Sequence, residues 1–453
     1  MSHSIRIAAG QGFWGDWLEA PVRQVLLGPI DYLMLDYLAE VTMSILAKQK
    51  SRRPDAGYAR DFPALMAQLL PELVDRKVKV LTNAGGVNPR ACAELVRQHA
   101  EALGLGDKVR IAIVTGDDIL DQLDQLLVQG EMFENLDTAR PFSDVRQRIQ
   151  SANVYLGAEP LVEALKSDAT IVITGRVSDA SLALAPAMHE FGWKPDEWDR
   201  LAAGVIAGHI IECGAQSSGG NYSFDWEAVP NAAEIGFPII EMAADGSFVV
   251  TKHEQTGGLV TIESVKEQLV YEIGDPTRYI GPDVVADFTS ITLSDEGPNR
   301  VRVTGAKGTA RPNTLKVSVS YRDGFMAAGT MLYSWPDAVR KAKVAGDIVS
   351  RRLAALALPL DRIHTEIIGA NACHGAISDG DYPDAPEALL RVAVHGQVRD
   401  AVERFTREVA PLVLGGPPGA TGYAGGKGAV QEVFGYWPTT VARTNVKASV
   451  TLL

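Results

Sequence analysis

Five times within its first 180 residues the chain repeats one order of events. An apolar run ends in glycine with polar or charged residues and then passes into a helical pattern. The runs cover residues 4–9, 30–35, 77–81, 109–115 and 169–174, and the breaks fall near residues 10, 36, 83, 116 and 175. Strands that alternate with helices predict an α/β fold, a mostly parallel sheet with flanking helices. Ligands of such sheets bind outside the carboxyl ends of the strands, so the breaks are expected to converge on one crevice.

The breaks carry the candidate chemistry. Gly10-Gln-Gly-Phe-Trp-Gly15 lacks the spacing of a dinucleotide fingerprint, so no nicotinamide site is read there. Asp36 and Glu40, four apart, share a face if the segment is helical. Like charges at that spacing repel, and burial of both raises one pKa. The alternative makes Asp36 an N-cap and Glu40 an exposed first-turn residue. Thr82-Asn83-Ala-Gly85-Gly86-Val-Asn88-Pro89 is a Gly-Gly turn before an N-cap with Pro at the first helical position. That pattern suits a bound carboxylate or phosphate, or simply a tight βα turn. Asp117 or Asp118 reads as a helix cap, and the last break supplies Arg176 and Asp179.

Residues 205–222 hold the densest set of reactive groups. A helix over 205–213 places His209, Glu212 and Cys213 on one face, with Gly214 as its stop. Gly219 and Gly220 are expected to leave backbone N–H groups free to face a ligand, and farther on Gly257 and Gly258 either line the site or merely turn the chain. The plainer alternative is a helix end whose His and Cys are buried and hydrogen-bonded.

A chain of 453 residues exceeds one ordinary core. The texture suggests an α/β domain over 1–234 and a β-rich portion with a long helix over 235–356. A C-terminal α+β module over 357–453 follows. Residues 130–149 read as a surface excursion or lid. Residues 415–428, with Lys427 as their one cation, read as a mobile loop or flap without the Lys-Ser/Thr pair of a phosphate loop. A net charge of −13 with no Lys/Arg block argues against nucleic-acid partners. Cys92, Cys213 and Cys373 are odd in number and far apart, which disfavours a disulfide framework. No signal-peptide pattern and no apolar run near the roughly 20 residues of a membrane span is present. The expected setting is the cytoplasm, with no membrane partner.

Several stretches together resemble one family. They include Gly12-Phe-Trp-Gly-Asp16, Leu35-Asp-Tyr-Leu-Ala-Glu40, Tyr58-Ala-Arg-Asp-Phe62 and Thr82-Asn-Ala-Gly-Gly86. Thr174-Gly-Arg-Val-Ser-Asp179, Gly208-His-Ile-Ile-Glu-Cys-Gly-Ala-Gln216, Thr256-Gly-Gly-Leu-Val260, Ala286-Asp-Phe-Thr-Ser290 and Thr314-Leu-Lys-Val-Ser318 continue in order. Over residues 5–355 they resemble the acyclic terpene utilisation AtuA family. The resemblance implies a role in bacterial breakdown of branched isoprenoid alcohols and acids, such as citronellol and geraniol, through acyl-CoA thioesters. Some members carry a ferredoxin-like C-terminal module with a Ser-Gly-Asp-Lys-Gly-type motif, which this sequence lacks. The resemblance then implies a chain that dispenses with the module or one served by a separate small subunit.

The expected function is a cofactor-independent lyase or hydratase acting on an unsaturated or hydroxylated carboxylic acid or its acyl-CoA thioester. Glu212 serves as general base or acid, with His209 as its partner or the opposing acid. Asn83, Gly85, Gly86, Asn88 and Arg176 hold the carboxylate or thioester oxygen, with Gly219, Gly220, Gly257 and Gly258 lining the site. Asp36 and Asp179 are catalytic or orient those groups. A variant builds a divalent-metal site from Asp36, Asp179, His209 and Glu212, with Cys213 joining for zinc. The rival class is a noncatalytic binding or scaffold subunit with a small protein partner. A homo-oligomer is the base-rate expectation.

Overall fold

The apolar runs are strands. The computed structural model describes residues 4–378, 380–422 and 428–453. In chain order its first strands are β1 (Ser4–Gln11), β2 (Tyr32–Leu35), β3 (Lys79–Thr82), β4 (Ile111–Thr115), β5 (Ile149–Val154) and β6 (Ile171–Thr174). Five of them lie side by side as β1-β2-β3-β6-β4, each parallel to its neighbour. Tyr-Leu-Met-Leu of β2 and Ile-Val-Ile-Thr of β6 are buried at every position, as strands covered on both faces must be. Leu33 and Leu35 join a core cluster with Phe62–Leu73 and Cys92–Ala100 residues of the helices Asp61–Arg76 and Pro89–Ala102. Tyr32, on the opposite pleat, donates its hydroxyl to Glu190 of the helix Ser181–Phe191, which covers the other face.

The sheet does not end with the parallel strands. β7 (Ile239–Ala243) pairs antiparallel with β1, and β8 (Phe248–Thr251) pairs with β7. Val301–Thr304 and Thr292–Asp295 continue that side, while Ser449–Leu452 returns to pair with β4, making ten strands. These ladders account for a division different from the expected one. One compact unit comprises residues 1–320 with 436–453, and the other comprises 321–435, rather than segments broken at 234 and 356. Residues 235–304 are tied by backbone hydrogen bonds to the edge of β1 and so belong to the first unit.

The second unit is a small α+β body. Phe325–Ser334 pairs antiparallel with the strand Glu387–Gly396, which also pairs with Arg362–Ile368. Met331, Val349 and Phe405 meet in its core, from that sheet and the helices Ala338–Leu356 and Arg399–Phe405. Lys427 lies outside the described residues. In the first unit, residues 130–149 are anchored, which corrects the lid expectation. Phe133, Phe142 and Val145 are buried, and the Trp437 indole donates to the Phe133 carbonyl at 2.9 Å. Among the described residues no helix is long and apolar enough to cross a membrane.

The helix Trp198–Glu212 is apolar on nearly all sides and is buried from Leu201 to Ile211. Gly208 lets it approach the loop after β6. A Cβ there would stand 2.6 Å from both the Cα and the carbonyl oxygen of Ala180. Ala gains roughly 1 kcal/mol over Gly in a helix interior, so Gly208→Ala tests whether the contact is rigid. Overpacking against backbone is expected to outweigh the propensity gain and leave a net loss of about 1–3 kcal/mol. Urea denaturation reads this directly, and a stabilised variant would show that the two helices separate freely.

Candidate active site

The loops after β1, β2, β3 and β6 interlock at the carboxyl edge of the sheet. The Asp36 N–H donates to the Gln11 carbonyl at 3.1 Å, joining the first two. Residues 36–41 are not helical, and the next helix begins at Thr42. Asp36 and Glu40 therefore do not share a helical face, and Asp36 is not a helix cap. The buried Asp36 carboxylate accepts the Leu38 N–H at 3.1 Å and the Asn83 side-chain amide at 2.6 Å. The Asn83 oxygen in turn accepts the Tyr37 N–H at 2.7 Å. Asn83 is thus spent on shaping the Asp36 loop and is not open to a substrate.

Arg176 is the centre of the cluster. Its backbone N–H donates to Asp117 Oδ2 at 2.8 Å, and the same oxygen accepts Asn153 Nδ2 at 2.9 Å. Its guanidinium is buried and donates to the Leu38 carbonyl and to Asp179 Oδ1. It also stacks 4.3 Å from the ring centroid of Tyr155, which follows β5. Nη1 and Nη2 of Arg176 are thus taken up by protein and are not open to clamp a substrate carboxylate as expected, while its buried Nε has no partner among the described residues. Asp179 keeps 31 % of its side-chain surface exposed. Beyond Tyr155, Lys316 lies 4.7 Å from the same ring and 3.6 Å from Glu40, which accepts the Tyr155 hydroxyl at 3.2 Å.

Glu212 enters from the end of the long helix. A Cβ on Gly12 would stand 2.5 Å from the Gly214 nitrogen, so the β1 loop lies directly on that helix end. His209 Nδ1 is 2.8 Å from Glu212 Oε1, and its Nε2 is 2.9 Å from the Gln268 carbonyl. The Gln268 side chain answers by donating to the His209 carbonyl at 2.8 Å. Both ring nitrogens face acceptors, and only an imidazolium donates to both. Burial opposes that charge, but Glu212 and the Gln268 carbonyl outweigh it and raise the His209 pKa. With both nitrogens engaged and the ring buried, His209 is held against Glu212 and keeps neither ring nitrogen open. Cys213 is pushed up to about 12 by burial and by Glu212, so it is a neutral thiol at physiological pH.

The carboxyl groups share one field. Asp36 is pushed up to about 6 by burial, against the lowering pull of Arg176 and Asn83, with Glu212 raising it further. Asp179 is raised well above the carboxylate range, first by burial and then by Asp36, Glu212 and Glu40, with Arg176 opposing. Glu40 is lowered by its own backbone N–H, Lys316, Arg176 and Tyr155, which outweigh its burial. One guanidinium does not neutralise every carboxylate around it, so Asp36 and Asp179 hold their protons to higher pH than ordinary carboxyl groups.

The other expected site residues are used structurally. Asn88 caps its helix through Ala91 N–H at 3.4 Å and donates to the Pro54 and Ala56 carbonyls. Gly85 packs on the Thr174 carbonyl and Gly86 on the Leu46 side chain. The N–H groups of Gly219, Gly220, Gly257 and Gly258 donate to the carbonyls of Gln216, Ala215, Glu234 and Pro230, so they are not turned toward a ligand. Among the described residues no three His, Cys, Asp or Glu side chains are arranged to hold a metal ion, so the expected Asp36, Asp179, His209 and Glu212 set does not assemble as ligands.

With that geometry in view, comparison with known proteins is informative. The model of the acyclic terpene utilisation family protein AtuA matches residues 5–452. The chain belongs to the AtuA family. The match extends through the second unit, well past the residue 355 limit expected from motifs. No curated protein and no solved structure matches the chain.

For this AtuA-family chain, the groups missed in sequence were Tyr155, Lys316, Gln268 and Asp117 as a holder of Arg176. Asp117 was visible only as a helix cap and Lys316 only as part of Thr314-Leu-Lys-Val-Ser318, while Tyr155 and Gln268 sit on elements with no motif of their own. Burial pushes Asp117 up to about 6 from the ordinary 3.8. Between those values the folded state binds a proton that the unfolded state lacks. Its contribution is therefore present below about pH 4 and lost as pH rises through about 6. Asp117→Asn should remove about 1 kcal/mol of the stability difference between pH 5 and pH 8. Urea melts at the two pH values measure this, and an unchanged difference would contradict it.

Proposed function

We propose that this AtuA-family protein transfers protons on an unsaturated or hydroxylated, branched carboxylic acid or its acyl-CoA thioester, as a lyase or hydratase. The observation that carries this is the pairing of Glu212 with a His209 ring engaged at both nitrogens, in one field with Asp36 and Asp179, whose pKa values burial raises. A carboxylate held by His209 removes a proton next to a carbonyl. The Asp36–Asp179 pair returns one to the leaving hydroxyl or to the adjacent carbon, with Asp179 as the exposed member. Burial that raises Asp36 and Asp179 suits them to the acid role in such work. The family's place in acyclic terpene utilisation supports a branched hydrocarbon substrate. Phe13 and Val41 support it too, since both are exposed and directly adjoin Gly12 and Glu40.

The test is proton–deuterium exchange by NMR in D₂O with the isolated chain, over branched unsaturated acids and their CoA thioesters. Exchange or hydration supports the assignment. Silence across the panel, restored by a co-purifying small protein, would replace it with a binding or scaffold role.

A further inference from the structure

We propose that Lys316, together with the Tyr436 hydroxyl, forms the subsite that binds an anionic carboxylate of the substrate. This rests on the acid–base function above and names the substrate's charged end. Arg176 was the natural candidate, but its guanidinium is buried and already donates to Leu38 and Asp179. Lys316 differs in each respect. Its side chain is 45 % exposed, and its ammonium stands 3.6 Å from Glu40. That exceeds the roughly 2.7–2.9 Å of a charge-assisted hydrogen bond, so its donors are not consumed. Tyr155, locked between the two cations and bonded to Glu40, holds the lysine stem in place as a stacking platform.

A second observation points to a ligand at the same place. The Tyr436 ring lies 5.9 Å from the Lys316 ammonium, and its hydroxyl is buried with no hydrogen-bond partner among the described residues. Buried hydroxyls are ordinarily paired. Ser318, two residues along the same strand and so on the same face as Lys316, also has a buried hydroxyl without a partner among the described residues. An acceptor-only group next to an ammonium satisfies such donors, and a carboxylate is that group. The amide of the same acid offers no charge to Lys316. Discrimination between acid and amide is therefore the signature of this subsite.

The experiment is equilibrium binding by ligand-observed NMR, using 2-methylbut-2-enoate and 2-methylbut-2-enamide as probes. Wild type, Lys316→Met, Lys316→Arg, Tyr436→Phe and Glu212→Gln are compared. Methionine keeps the length of the exposed side chain and removes the charge, so the fold is retained. Wild type should bind the acid roughly tenfold or more tighter than the amide, as expected for hydrogen bonds to a charged group. Lys316→Met should bring the two within about twofold, Lys316→Arg should restore much of the preference, and Tyr436→Phe should weaken the acid alone. Preference that survives Lys316→Met, or wild type that binds neither probe, overturns the subsite. Glu212→Gln separates this from the acid–base function. It should bind the acid as wild type does while losing exchange, so failure of the chemistry and failure of the subsite give different results.

Discussion

Glu212→Gln is expected to lower deuterium exchange into substrate by about 10²–10⁴-fold, the range supplied by a positioned general base. Glutamine keeps the shape and still accepts from His209 Nδ1, so the helix end and the Gly12 contact should survive. What is lost is the carboxylate that takes the proton. The His209 imidazolium also loses its counter-charge, so its raised pKa should fall back toward the ordinary histidine value. Single-turnover exchange beside wild type, with far-ultraviolet circular dichroism as the fold control, measures both. Undiminished exchange would remove Glu212 from the mechanism and shift the base to Asp36 or Asp179.

Arg176→Met should be the most damaging substitution for stability. The guanidinium is buried under Tyr155 and is the cation that acts on Asp179 and Asp36. Removing one partner of a buried charge set leaves the others uncompensated, typically at a cost of about 3–5 kcal/mol. The sign of the pH effect follows from the same groups. In the variant, Asp36 and Asp179 must be protonated to be tolerated, so the loss should be smaller at pH 5 than at pH 8. Denaturant unfolding at both pH values checks this. A loss below about 1 kcal/mol would mean that water already compensates those charges.

Much of the fold is legible in sequence because one rule repeats. Apolar runs with no alternation report strands buried on both faces, and all five proved to be parallel neighbours ending at one edge. The extension of the sheet was not legible. β7 and Ser449–Leu452 join it only through long-range backbone pairing, which leaves no periodic trace. For the site, Arg176 does meet Asp179 and His209 does meet Glu212, and Asp36 shares their electrostatic field. Their roles were misjudged where role depends on what is already bonded. Arg176 and Asn83 have the right chemistry for a carboxylate, but Leu38, Asp179 and Asp36 occupy it. Likewise Gly219, Gly220, Gly257 and Gly258 are glycines because backbone crosses backbone there. A Cβ on Gly257 would stand 2.0 Å from the Asn231 carbonyl oxygen. Sequence shows that such a residue permits close approach, and only the fold shows what approaches.

The central claim is that a carboxylate base and a proton-holding acid stand in one cluster at neutral pH. Carbon-13 NMR titration of the aspartate side-chain carboxyls, with Asp36→Asn and Asp179→Asn for assignment, tests it most directly. The account predicts that Asp36 titrates near 6 and Asp179 well above the ordinary 3.8, each midpoint moving down when the other is replaced. Midpoints for both at or below the ordinary 3.8 would contradict it and leave the cluster without its acid.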